Sequence, residues 1–319
     1  MRPAARLLSG VFAGAVRLRN SLYDLGALPS RSLPGPVISV GNLSVGGAGK
    51  TPFVILLGEL LQQRSLQFDV LTRGYGRQSE GVKRVDPAGA PRDFGDEPLL
   101  IARRLQAPVI IGEDRYAAGL FAEQTFGPQL HLLDDGFQHR QLARAFDIVL
   151  VTPDDARDRL LPAGRLREPL SALRRADAVV LTSGAEPNQF PLEQKVVWRV
   201  RRGILPGNVP EKPVAFCGIA RPQSFFAQLR KAGIEPAAEA AFPDHYAYTE
   251  KDVRDLHFLR EQSGAGGFVT TEKDAVNLCA MLPALQPLAI VPVRMDLVDA
   301  ARALDTILDT LARRGKPVP

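Results

Sequence analysis

One stretch, Gly46-Gly47-Ala48-Gly49-Lys50-Thr51-Pro52, constrains this chain more than any other. The apolar run Pro36-Val37-Ile38-Ser39-Val40-Gly41-Asn42 precedes it, and Phe53-Val54-Ile55-Leu56-Leu57-Gly58-Glu59-Leu60-Leu61 follows with helical character. Strand, glycine-rich loop, Lys-Thr and helix is the layout of a phosphate-binding loop. Glycines let successive backbone N–H groups curl around phosphate oxygens, and the helix N-terminus adds partial positive charge. Residues Ser44, Val45, Gly46, Gly47, Ala48, Gly49, Lys50 and Thr51 are therefore expected to cradle nucleotide phosphates. Lys50 would reach the β- and γ-phosphates, and the Thr51 hydroxyl would hold Mg²⁺. Pro52 suits a first helical turn, where an N–H has no partner. The general pattern has glycine at the position of Ser44. The competing reading is a tight strand-to-helix turn with an exposed lysine.

Downstream, short apolar runs at 68–72, 108–112, 130–133, 147–152 and 178–182 alternate with helical patterns. Such runs read as buried parallel strands. The expected fold is α/β, a doubly wound parallel sheet of the P-loop NTPase kind, with functional groups at the carboxyl ends of its strands. The texture changes near 195–213. Lys195-Val196-Val197-Trp198-Arg199-Val200-Arg201-Arg202 alternates with a basic face, and Gly207, Pro210 and Pro213 then break regular structure. A P-loop domain is expected over 24–205 and a smaller α/β domain over 206–319. The second is expected to contain strands at 214–218, 267–270 and 288–293, a helix near 222–232 and a last helix at about 297–313. Leu304, Ile307, Leu308 and Leu311 give that last helix an apolar stripe.

Length and composition, 319 residues with 45% hydrophobic and 24% charged, allow two domains and a large core. A net charge of +5 suits an anionic partner without choosing one. Cys217 and Cys279, the only cysteines, make neither a disulfide framework nor a zinc cluster and suit a reducing cytosol. Residues 1–23 carry Arg2, Arg6, Arg17 and Arg19 around the apolar segment 7–16, with no acid before Asp24. That segment is too short for a bilayer, which needs about 20 residues. A basic amphipathic helix on an anionic membrane surface fits it. A docking helix also fits, and so does a signal peptide, although Arg17 and Arg19 stand where small cleavage-site residues belong.

Asp134 and Asp135 end an apolar strand downstream of the loop, where an acid holds Mg²⁺ directly or through water. A solvated Asp-Asp-Gly turn is the alternative. Gly95-Asp96-Glu97-Pro98 is a second acidic pair, and by itself only a turn before a helix. His245, one of four histidines, alone reads as structural. Arg165 and Arg167 sit in a loop with Arg157, Arg159, Arg174 and Arg175. That run is either a solvated face or a clamp for an anionic headgroup.

Taken together, these segments resemble the tetraacyldisaccharide 4′-kinase (lipid A 4′-kinase) family of Gram-negative bacteria. The likeness is carried in order by residues 45–52, 73–77 (Arg-Gly-Tyr-Gly-Arg), 95–98, 113–116 (Glu-Asp-Arg-Tyr), 133–140, 161–169, 216–220, 244–245 and 271–275. Where that family has a second histidine after Asp-His, this chain has Tyr246, which leaves His245 to fill the role. The resemblance implies ATP-dependent phosphorylation of the 4′-hydroxyl of tetraacyldisaccharide 1-phosphate, giving lipid IVA in lipopolysaccharide biosynthesis, with Mg²⁺. It implies Asp96 as base toward the sugar hydroxyl, oriented by His245, with Lys50 completing the catalytic set. Thr51, Asp134, Asp135 and Glu168 would serve the metal. Arg73, Tyr75, Arg77, Arg115, His139 and Arg167 would hold sugar and phosphate. It also implies an enzyme body on the cytoplasmic face of the inner membrane, with no nucleic acid and no obligate protein partner. A GTPase or metal-delivery chaperone would need a guanine-reading N-K-x-D, which neither 181–184 nor 271–274 supplies. A nucleic-acid-binding ATPase would need clustered basic and aromatic residues, and here the basic residues are scattered.

Overall fold

The computed structural model describes residues 3–316 and residue 318, without the side chains of residues 3, 4 and 6. Arg2 and the Arg6 side chain, two of the basic groups at the N-terminus, lie outside it. Helix α1 (Pro3–Asp24) leads into strand β1 (Val37–Asn42), the phosphate loop and α2 (Lys50–Gln63). Next come β2 (Phe68–Thr72), β3 (Lys83–Arg84), α3 (Pro91–Phe94), α4 (Asp96–Arg104), β4 (Val109–Ile111) and α5 (Arg115–Phe126). Strands β5 (Leu130–Asp134), β6 (Phe146–Val151), β7 (Ala178–Leu181) and β8 (Val196–Ile204) follow. The rest is β9 (Val214–Cys217), α6 (Pro222–Lys231), β10 (Ala238–Ala241), α7 (Glu250–Ser263), β11 (Phe268–Thr271), α8 (Glu272–Leu278), β12 (Leu288–Val291), β13 (Val293–Leu297) and α9 (Ala300–Arg313).

The strands form two sheets. The larger has nine strands in the order β13-β8-β7-β6-β1-β5-β2-β4-β3. From β8 to β4 its neighbours are parallel, and only the edge strands β3 and β13 run antiparallel. The central strands β1, β2, β5 and β6 are buried along their whole length, as continuous apolar runs covered on both faces must be. One face carries α2, α4 and α9, whose Phe53, Leu57, Leu99, Leu304 and Ile307 share a core with Val40, Leu132 and Leu150. Strand order reverses at β1, the switch point where such sheets open a crevice beyond their carboxyl ends. The smaller sheet, β10-β9-β11-β12, is wholly parallel.

The last two elements depart from the expected division. The run at 288–293 is two strands, because Pro292 has no N–H to continue a ladder. Beyond it, β13 leaves the small sheet and pairs antiparallel with β8, with Val293 opposite Ile204. The stripe of α9 is core as expected, but Leu304, Ile307 and Leu311 enter the core of the large sheet, so residues 293–313 do not complete the smaller one.

Helix α1 lies against the large-sheet unit through polar ties. Ser9 Oγ donates to the Leu160 carbonyl at 2.8 Å, Arg140 pairs with Asp24 at 2.8 Å, and the Arg140 guanidinium covers the Tyr23 ring. Leu7, Leu8, Val11 and Leu18 point outward and are exposed. No helix among the described residues is long and apolar enough to cross a membrane.

Candidate active site

Between the two sheets lies a cleft of about 610 Å³, floored by residues 44–52. The left-handed positions of the loop are Gly46 and Gly49, both at φ +87°. Ser44 is not left-handed, so its side chain costs nothing where the general pattern has glycine. Ser44 is buried and bridged to Leu166, and the Val45 N–H donates to the Arg165 carbonyl at 2.8 Å. The loop is thus anchored to residues 165–166 before α2 begins. Lys50 Nζ donates to Asn42 Oδ1 at 3.0 Å and pairs with Asp135 Oδ1 at 3.4 Å. Residues 219–221 of the small-sheet unit close over it, with Arg221 Cγ 3.6 Å from the position of a Cβ on Gly47.

The carboxyl ends of β2 and β5 bring Thr72, Arg73, Asp134 and Asp135 to the same cleft. Burial, with Glu97 and Asp135 nearby, pushes the Asp134 pKa up to about 7. Thr72 Oγ1 donates to Asp134 Oδ2 at 3.1 Å, while Oδ1 is buried with no partner among the described residues. Asp135 behaves oppositely. Burial would raise its pKa, but the charges of Lys50 and Arg167 outweigh it and hold the carboxyl well below the usual range. Arg167 grips both Asp135 oxygens, at 2.8 and 2.9 Å.

An orphaned carboxylate oxygen beside the phosphate loop fits Mg²⁺. No group of three His, Cys, Asp or Glu residues forms a protein cage for an ion among the described residues.

The third component spans the sheets. Asp96 is the first residue of α4, after Gly95 at φ +89°, where a Cβ would stand 2.8 Å from the Tyr75 carbonyl. Asp96 is buried, and its oxygens lie 2.9 and 3.0 Å from His245 Nδ1. Asn277 Nδ2 donates to the same carboxylate at 3.1 Å. Lys273 Nζ, 3.7 Å from Asp96, donates to Asp244 at 2.8 Å and stands 3.4 Å from His245 Nε2. An ammonium only donates, so Nε2 accepts and Nδ1 carries the proton toward Asp96. Burial would raise the Asp96 pKa, but the His245 hydrogen bond and the Lys273 charge hold it below its ordinary value. The Asp96 hydrogen bond in turn raises the His245 pKa. His245 is left-handed, at φ +58°, and so is Asp135, at φ +50°. Strain of this kind costs about 1–3 kcal/mol per residue and clusters at functional sites.

Arg73 and Arg167 line the cleft as well, and Tyr75 places its ring 5.3 Å from that of His245. Four residues expected at the site lie elsewhere. Glu168 is buried with its carboxylate taken by Arg175, at 2.9 and 3.1 Å, and by Asn20 of α1, at 2.6 Å, so it fastens the helix rather than facing a metal. Arg77 donates to the Gly81 carbonyl, away from the cleft. Arg115 is buried behind the aspartates and donates to the Glu113 carbonyl. His139 sits off the cleft, where burial and the charges of Arg115 and Arg144 lower its pKa to about 4. Conversely, Lys273, Asn277, Arg202 and Arg221 belong to the site although no role was expected of them, and only Lys273 lies in a segment that carries the family likeness. Each looks ordinary until the fold gives it partners.

Four similarities accompany this geometry. The LpxK family, tetraacyldisaccharide-1-P 4′-kinase, matches residues 1–313. A tetraacyldisaccharide 4′-kinase of Koribacter versatilis is 51% identical over 317 residues, covering 96% of this chain and 98% of that protein. One of Aquifex aeolicus is 40% identical over 296 residues, covering 87% and 90%. The solved structure of the "apo" form of LpxK from Aquifex aeolicus in complex with ATP superposes with a TM-score of 0.79 at 36% identity, covering 95% of this chain and 97% of that one.

Proposed function

Because the chain belongs to the tetraacyldisaccharide-1-P 4′-kinase family, we propose that it transfers the γ-phosphoryl group of ATP to the 4′-hydroxyl of a tetraacyldisaccharide 1-phosphate. The product is the 4′-phosphorylated lipid A precursor. The observation that supports this reading is the Asp96–His245 contact at 2.9 Å in the cleft that the phosphate loop lines, a carboxylate available to accept a proton there.

Backbone N–H groups of residues 46–51 hold the phosphate chain, and Lys50 turns from Asn42 and Asp135 to the β- and γ-oxygens. Thr51 and Asp134, with Asp135 close by, would hold the magnesium ion. When bound, Mg²⁺ supplies charge neutralisation on the transferring phosphoryl group. Asp96 takes the proton of the 4′-hydroxyl as its oxygen bonds to the γ-phosphorus and ADP departs. A sugar hydroxyl is weakly acidic, so the base acts through position more than basicity. His245 fixes the carboxylate, and Lys273 fixes His245. Arg73, Tyr75 and Arg167 form the acceptor side of the cleft.

Helix α1 and the outward Leu7, Leu8, Val11 and Leu18 lie on the membrane surface, on the cytoplasmic face of the inner membrane, and keep the acyl chains there. Residues 24–204 with 293–313 make the kinase body, and 205–292 the unit that closes its cleft. Incubation with γ-labelled ATP and tetraacyldisaccharide 1-phosphate in detergent micelles should place label on the 4′ oxygen. An unlabelled acceptor with ATP bound would overturn the reading. Deleting residues 1–23 should raise KM for the lipid and abolish sedimentation with anionic vesicles while leaving ATP affinity unchanged.

A further inference from the structure

Strand β8 sends Trp198 and Val200 into the core beneath α2. Alternation makes position 202 the next inward site, and it is an arginine. Its cross-strand partner is Met295 of β13, and directly opposed residues share a face. Met295 is buried, with Cε 2.9 Å from the position of a Cβ on Gly49. Arg202 therefore points to the phosphate-loop side of the sheet, and it lines the cleft. Its Nε is buried with no hydrogen-bond partner among the described residues. The charge that acts on it is another cation, Arg221.

Arg221 comes from the other sheet. It precedes α6, its stem crosses Gly47, and its only ion pair among the described residues is with exposed Asp154, at 3.2 Å. Two guanidinium groups thus face the loop from two sheets, one of them without an anion among the described residues. A buried, unpaired charge is expensive unless a ligand compensates it.

We propose that Arg202 and Arg221 are the second half of the phosphate site. They bind the phosphate chain of a nucleoside triphosphate from the side opposite the backbone cradle, and so draw the small sheet against the large one. Each offers a planar fork of donors to phosphate oxygens, and Arg221 leaves Asp154 to do so. This inference rests on the cleft being the ATP site.

The test is calorimetric titration of the full-length protein, without lipid acceptor, using ATP and inorganic tripolyphosphate as separate probes. Arg202→Met should weaken both at least tenfold, and Arg202→Lys should recover only part of the loss. Arg221→Met should act in the same direction, since Arg221 makes no side-chain cap to α6. The free Arg202→Met protein should melt at or above the wild-type temperature, because an uncompensated charge has been removed. Wild-type affinity for both probes in Arg202→Met would overturn the proposal. Weaker binding with a lower melting temperature of the free protein would make Arg202 a structural residue and overturn it equally. If wild type binds ATP but leaves the lipid unlabelled, the kinase reading fails while this one stands. If the lipid is labelled and Arg202→Met binds ATP normally, only this one fails.

Discussion

The phosphate loop and the Asp96 cluster face one cleft but are built in opposite ways. The loop is one contiguous run, and its cradle comes from neighbours in sequence, Gly46, Gly49, the end of β1 and the start of α2, with residues 165–166 as its one distant anchor. The cluster unites Asp96 with His245, Lys273 and Asn277, which arrive from the other sheet. The first is complete in the large-sheet unit alone. The second exists only when the two sheets stand in register. The backbone cradle and the step of phosphoryl transfer therefore depend on different parts of the fold, and substitutions should separate them.

The largest expected effect falls on the assembled half. Asp96→Asn should lower kcat by about 10²–10⁴-fold, the usual worth of a positioned base. ATP affinity, measured by calorimetry, should stay at wild type, and a parallel loss of affinity would erase the distinction between the two regions. Lys50→Ala strikes the contiguous half and should reduce both nucleotide affinity and turnover, the latter by about 10²–10³-fold as for other groups that stabilise transition-state charge. His245→Gln should cost less turnover and is best read from pH. Asp96 would lose the partner that holds its pKa down, so the acidic limb of the kcat/KM profile should move to higher pH. An unmoved limb would separate His245 from the base.

The smallest effect sharpens the comparison within the loop half. Asp134, with a folded pKa of about 7 above its model-compound 3.8, binds its proton more tightly when folded. The stability it contributes to the free protein is full below about pH 4 and is lost as pH rises through 7. Magnesium needs the carboxylate, so the gain in melting temperature on adding Mg–ATP should grow between pH 6 and 8. In Asp134→Asn that growth should vanish. A pH-independent gain in both proteins would remove Asp134 from the metal site.

What the sequence revealed follows the same division. The loop and the parallel strands were legible because each is local: fully buried strands read as apolar runs, and a phosphate cradle reads as glycines before Lys-Thr. The Asp96–His245 pairing entered through family likeness, since nothing in Asp-His alone distinguishes an orienting histidine from a buried one. Glu168 shows the converse failure. It follows Arg167 in a charged loop, yet Arg175 seven residues on and Asn20 of the distant helix α1 take its oxygens, and no local pattern announces that. Arg202 was unreadable for the same reason, and Lys273, though it lies in the likeness-bearing segment 271–275, had no readable role until its partners were in place. The fate of residues 293–313 turned on long-range pairing, because an amphipathic stripe says that a helix is buried but not against which sheet.

One last consequence concerns how the small sheet is attached. The chain departs at Ile204 and returns at Val293, and these residues are direct partners in neighbouring antiparallel strands. Residues 205–292 are thus an insertion at the tip of a hairpin. Replacing them by a two-residue turn should leave the nine-stranded body foldable, with its anchored loop and no chemistry. Suspension from two adjacent ribbons also favours bending across the hairpin over twisting about it, so the inserted unit should swing like a door on its frame.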